Sequence, residues 1–131
     1  SDAVWAHQGE VLFDRQAATA PDAVALLTAD ARLSYAELEA RANGVAKTLR
    51  QQAVQPGDRV GLMCGRNQHL LAGVLGILKA GAAYVPLDPT FPAERLAQMA
   101  ADAGVQVLAC DGTSEGAPQL LPALRRLRVD R

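Results

Sequence analysis

Apolar positions recur with two different periods along this chain, and the change of period marks out its elements. Leu38, Ala42, Val45, Ala46 and Leu49 fall at helical spacing and predict one buried face on a helix running from Tyr35 to about Gln52, with Glu37, Arg41, Lys47 and Arg50 left to solvent. Upstream, the apolar run Ala23 to Leu27 is separated by Asp30 and Ala31 from Arg32 and Leu33, which predicts a small antiparallel hairpin. Pro56-Gly57 closes this unit. Beyond it, short apolar runs alternate with helical patterns. The prediction is strand Arg59 to Cys64, helix Asn67 to Ala80, strand Ala83 to Leu87, helix Pro92 to Ala103 and strand Val105 to Cys110. Strands recurring after single helices imply right-handed βαβ units, so the expected fold is α/β, a parallel-rich sheet with flanking helices.

The two ends read less regularly. VLFDRQAATAP reads as a short helix stopped by Pro21, and residues 1–10 resemble a linker, so the domain portion is expected over 11–131. DGTSEGAP after Cys110 reads as a loop, Gln119 to Leu127 as a short helix, and Val129 as the start of a strand interrupted at Arg131.

Several local signals have explanations that need no ligand. Ser34 is placed to cap the long helix, with Glu37 three residues later completing a capping box and Leu33 and Leu38 forming a hydrophobic staple. In Leu78 to Pro89, LKAGAAYVPLDP, Lys79 sits in the last helical turn and Gly81 suits the left-handed residue that ends the helix. Pro86, which has no N–H to donate, belongs at a strand end or edge, and Asp88-Pro89 makes the exit turn before a helix opens at Pro92. Gly73 and Gly76 lie inside a helix that is apolar on nearly every side. Each costs about 1 kcal/mol relative to alanine, so something is expected to pack closely against them.

Composition narrows the classes of function. Of 131 residues, 50 % are hydrophobic, enough for a single core. Thirteen basic and fourteen acidic residues give a formal net charge of -1, which argues against nucleic acid or an anionic membrane as the partner. The apolar stretch around Leu70 to Leu87 is broken by Lys79, glycines and Pro86, wrong for a membrane span, and no secretory leader opens the chain, so a cytoplasmic location is expected. Cys64 and Cys110 belong to no CxxC or Cys/His cluster, and His7 and His69 have no companion ligands, so neither pair supports a metal site.

Candidate chemistry is sparse. Gly61-Leu62-Met63-Cys64-Gly65, followed by Arg66-Asn67, is the one possible phosphate turn, but it matches neither GxGxxG nor a Walker loop and reads better as a strand-to-helix turn capped by Asn67. Tyr84 and Asp88 are possible substrate contacts if they sit at the carboxyl end of a parallel strand; architecture is the simpler reading of both. Glu37 and Glu39 lie on a solvated helix and suggest no acid-base pair.

LSYAEL and LKAGAAYVPLDP, in this order, resemble the first two core motifs of nonribosomal peptide synthetase adenylation domains, members of the adenylate-forming, acyl-activating superfamily. The likeness extends from about Val11 to Cys110. CGRNQHL at Cys64 to Leu70 departs from it, where many relatives carry an acidic residue and a Ser-Pro pair. The resemblance implies the N-terminal part of the large subdomain of an adenylate-forming enzyme. It also implies ATP, Mg²⁺ and a phosphopantetheine carrier protein as the requirements of the complete domain. In the family, the phosphate loop, the adenine motif, the specificity positions and the mobile lysine come later than anything matched here. No catalytic, cofactor-binding or metal-binding residue is therefore assigned, and no amino acid substrate.

Besides a stand-alone small-ligand α/β module, which would be a monomer that binds a nucleotide, the resemblance leaves two classes of function. One is a segment of an ATP-dependent amino-acid-activating enzyme, inactive alone; the other is a non-catalytic remnant serving as a scaffold or interaction module. A partial sheet exposes an unpaired edge, so either reading predicts self-association or dependence on the remaining synthetase domains.

Overall fold

A computed structural model describes residues 18–27, 32–65, 68–111 and 124–129. The apolar run at its start and the segment before Tyr35 become β1 (Val24–Leu27) and β2 (Arg32–Ser34), an antiparallel pair. β2 runs directly into α1 (Tyr35–Gln51) through the predicted capping box. The Glu37 N–H donates to Ser34 Oγ at 3.1 Å and the Ser34 N–H to Glu37 Oε1 at 3.2 Å. Leu33 and Leu38, the staple pair, are buried in one cluster with Ala42 and Ala72. Ahead of the hairpin, Ala18 and Thr19 are helical and Pro21 begins a turn; the rest of that predicted helix lies outside the described residues.

The second sheet contains β3 (Arg59–Met63), β4 (Ala83–Pro86), β5 (Val107–Cys110) and β6 (Arg125–Arg128), joined in part by α2 (Gln68–Lys79) and α3 (Ala93–Ala103). Its order is β4-β3-β5-β6, and every pairing is parallel. Alternation along the strands assigns the two faces. Val60, Leu62, Val107 and Ala109 pack with Val45 and Leu49 of α1 and Ile77 of α2, whereas Met63, Leu108 and Cys110 pack with Leu96 of α3. Helices thus cover both faces of the sheet, the doubly wound arrangement.

α2 ends as its sequence predicts. Gly81 takes a left-handed φ of 81°, and the Ala82 N–H reaches back to the Ile77 carbonyl at 3.1 Å. The helical glycines also have their partner. A Cβ on Gly76 would stand 2.5 Å from Val45 Cβ and 2.9 Å from the Ala42 carbonyl oxygen, and one on Gly73 would stand 2.9 Å from Leu62 Cδ1. α1 therefore approaches α2 backbone to backbone at Gly76.

Three expectations need adjustment. Residues 125–127 are strand, where the sequence predicts a helix reaching Leu127, because this segment pairs with β5: Val107 faces Arg125 and Cys110 faces Arg128. Val129, where a strand is predicted to start, lies just past the end of β6; its N–H still donates to the Cys110 carbonyl at 2.8 Å. β5 starts at Val107 and not at Val105, since the Val105 N–H closes the end of α3 on the Ala100 carbonyl at 2.9 Å, after Gly104 takes a left-handed φ. Among the described residues no helix is long and apolar enough to cross a membrane.

Candidate functional site

The order β4-β3-β5-β6 creates one place where consecutive connections leave in opposite directions. From β3 the chain crosses through α2 to β4 on one side, then returns through α3, past β3, to β5 on the other. In open parallel sheets the crevice at the carboxyl ends of such a strand pair is the ligand side. Here it lies between Met63-Cys64-Gly65, after β3, and Cys110-Asp111, after β5.

Asp111 dominates this crevice. At 1 % exposure it is the one buried polar or charged side chain among the described residues. A buried carboxylate is costly unless hydrogen bonds replace its water. The Gly65 N–H supplies one, donating to Asp111 Oδ2 at 3.2 Å, and Asp111 has further interactions. The bond ties the segment leaving β3 to the end of β5 and so holds the mouth of the crevice in shape. Sequence reasoning misses Asp111, because it ends the strand at Cys110 and assigns the following residues to a loop. The available signal is an aspartate directly following an apolar strand in a parallel fold.

Part of the phosphate-turn candidate, Gly61 to Gly65, lies within the described residues. Gly61 to Met63 are strand, and Gly61 is packed tightly enough that a Cβ would stand 3.1 Å from Leu87 Cδ1 and 3.2 Å from Leu108 Cδ1. Within this turn the Gly65 N–H is engaged by the Asp111 side chain. Arg66 and Asn67 lie outside the described residues.

Tyr84 and Asp88, the two possible substrate contacts, stand in different surroundings. Tyr84 sits within the edge strand β4, opposite Val60, and is 39 % exposed. Asp88 does lie past the carboxyl end of β4, but its Oδ1 accepts from the Thr90 N–H at 2.9 Å and from Thr90 Oγ1 at 2.7 Å, organising the turn into α3. Cys64 packs on the α1/α2 face and Cys110 on the α3 face, so the sheet separates the two thiols. No group of three or more His, Cys, Asp or Glu able to hold a metal ion occurs among the described residues. What the described residues form at the switch point is framework: the carboxyl ends of β3 and β5, joined by the bond from Gly65 to Asp111.

A family model for AMP-binding enzymes matches residues 13–130. The chain belongs to the AMP-binding enzyme family. Within it, the similarity is to nonribosomal peptide synthetases. The chain is 50 % identical over 97 residues to gramicidin S synthase 2 of Brevibacillus brevis, covering 74 % of this chain, and 44 % identical over 100 residues to bacitracin synthase 1 of Bacillus licheniformis, covering 76 %. It spans about 2 % of the length of these relatives. Among solved structures, the AMPPNP-bound form of the synthetase FmoA3 matches 92 % of this chain and 13 % of its own, with TM-score 0.86 and 35 % identity. Holo-AB3403, a four-domain synthetase bound to AMP and glycine, matches 92 % of this chain and 9 % of its own, with TM-score 0.83 and 39 % identity. The AMP-binding fold segment described above is thus an adenylation-domain segment of the nonribosomal peptide synthetase type.

Proposed function

We propose that the chain forms part of an ATP-dependent adenylation domain that activates an amino acid for nonribosomal peptide synthesis. The observation that carries this reading is the agreement of the whole described fold, at TM-score 0.86, with a synthetase whose structure holds AMPPNP. In the reaction, an amino acid carboxylate oxygen bonds to the α-phosphorus of ATP while the bond to the β-phosphate bridging oxygen breaks and pyrophosphate leaves. A phosphopantetheine thiol of a carrier protein then loses its proton, its sulfur bonds to the acyl carbon, and AMP leaves. Mg²⁺ is the metal this chemistry implies, and none of the described residues is assigned to it. The part given to this chain is architectural: β3 and β5 present their carboxyl ends, and Asp111 fixes the segment between them.

The same reading makes residues 1–10 a linker and 11–131 a portion of the domain, in a cytoplasmic synthetase. Amino-acid-dependent exchange of pyrophosphate into ATP by the complete polypeptide carrying this segment is the expected result. A folded polypeptide that exchanges with none of the proteinogenic amino acids would favour the scaffold reading instead.

A further inference from the structure

We propose that the groove between α1 and β6 is a docking site for an acidic, partly apolar segment of the synthetase polypeptide outside residues 1–131; this rests on the reading of the chain as part of a synthetase. The groove has a volume of about 550 Å³, and Arg41, Lys47, His69 and Arg128 stand among its lining residues. Half-buried Leu127 supplies apolar surface, with the edges of the buried Val45 and Val129, and no lining residue among the described ones bears a carboxylate. This is a local excess of positive charge on a chain whose formal net charge is -1.

Two independent features single the groove out. The first is the state of two of its cations, Arg41 and Lys47; His69 and Arg128 both have partners. Arg50, Arg59 and Arg125 donate to the carbonyls of Lys79, Ala103 and Gln52, whereas the side chains of Arg41 and Lys47 make no hydrogen bond or ion pair among the described residues. The second is Gly44, which lines the groove in the middle of α1. A Cβ there would meet nothing within 4 Å, so no neighbour among the described residues explains a glycine that weakens its helix. A glycine at the surface lets another backbone approach closely.

The occupant follows from complementarity. Carboxylates answer Arg41 and Lys47, and apolar side chains answer Val45 and Leu127. A polyanion such as nucleic acid would leave that apolar surface unmatched. A second copy would bring Arg125, Arg126 and Arg128 of its own β6 against like charges. Most of the synthetase polypeptide in the relatives lies outside the matched segment, since the match covers 2 % of one and 13 % of another.

Carbodiimide cross-linking of the complete polypeptide, mapped by peptide mass spectrometry, tests this. Lys47 is expected to form an amide with an Asp or Glu outside residues 1–131. The yield should fall several-fold at high salt, where exposed pairs are screened, and in Gly44→Gln, which fills the open position. In a parallel reaction without carbodiimide, acylation of Lys47 by acetic anhydride to the same extent in native and urea-unfolded polypeptide would overturn the proposal, as would cross-links confined to residues 1–131 or, in an isotope-mixed sample, to a second copy. Pyrophosphate exchange on the same preparation separates the two readings. Exchange with a freely acylated Lys47 overturns the docking site alone, whereas a cross-linked Lys47 without exchange overturns the adenylation assignment and upholds an occupied groove.

Discussion

The glycines of α2 and the glycine of α1 carry the same local penalty for opposite reasons. Gly76 and Gly73 face neighbours so close that a methyl group would enter the space of Val45 or Leu62, while Gly44 faces open space. In α2 the missing side chain allows α1 and the sheet to approach, and the cost to the helix, about 1 kcal/mol for each glycine, is offset by burial of Val45, Leu62 and Ile77. In α1 the same cost has no return among the described residues. A helical glycine thus reports close approach within the described fold where a neighbour stands over it, as at Gly76, and leaves room for an outside backbone where none does, as at Gly44.

Stability measurements test this contrast directly. Gly76→Ala is expected to have the largest effect, a loss of about 2 kcal/mol, because overpacking against a helix backbone outweighs the gain in propensity; urea denaturation reads it. Transposing the small residue, as Val45→Gly with Gly76→Ala, should recover part of the propensity-corrected loss. No recovery would mean that the Ala42 carbonyl, and not Val45, sets the approach. Ser34→Ala should cost about 1 kcal/mol by removing the cap on which the Glu37 N–H depends, seen as a lower thermal midpoint and faster amide exchange in the first turn of α1. In residues 1–131 alone, Gly44→Ala should raise stability by about 0.8 kcal/mol, since the helix gains propensity and no described neighbour is displaced; a loss there would place a neighbour from these residues over Gly44 and erase the contrast. Gly73→Ala should change least, within about 0.5 kcal/mol, because the atom it meets is the end of the Leu62 side chain, whose yielding offsets the propensity gain.

The reading of the sequence and the structure agree most closely where information is local. The capping box at Ser34, the glycine termination at Gly81 and the edge position of Pro86 each depend on backbone chemistry within a few residues, and all are present as predicted. β6 departs from prediction because RRLR has no alternating apolar pattern. Its strand state comes from pairing with β5, and its charges are tolerable only at a sheet edge. Asp111 escapes for a similar reason. Nothing in a single aspartate after an apolar run says that it will be buried, or that Gly65, far away in sequence, will donate to it.

Residue order alone suffices for the period of each element from Tyr35 to Cys110, for the helix ends and, through LSYAEL and LKAGAAYVPLDP, for the family. The strand order, the face that each helix covers, the position of the switch between β3 and β5 and the crowding of particular glycines emerge only in the folded chain. Capping, termination and periodicity are short-range properties of the backbone, carried by neighbouring residues. Strand order, burial of a carboxylate and the space above a glycine arise from contacts between residues far apart in the chain, which no local pattern encodes.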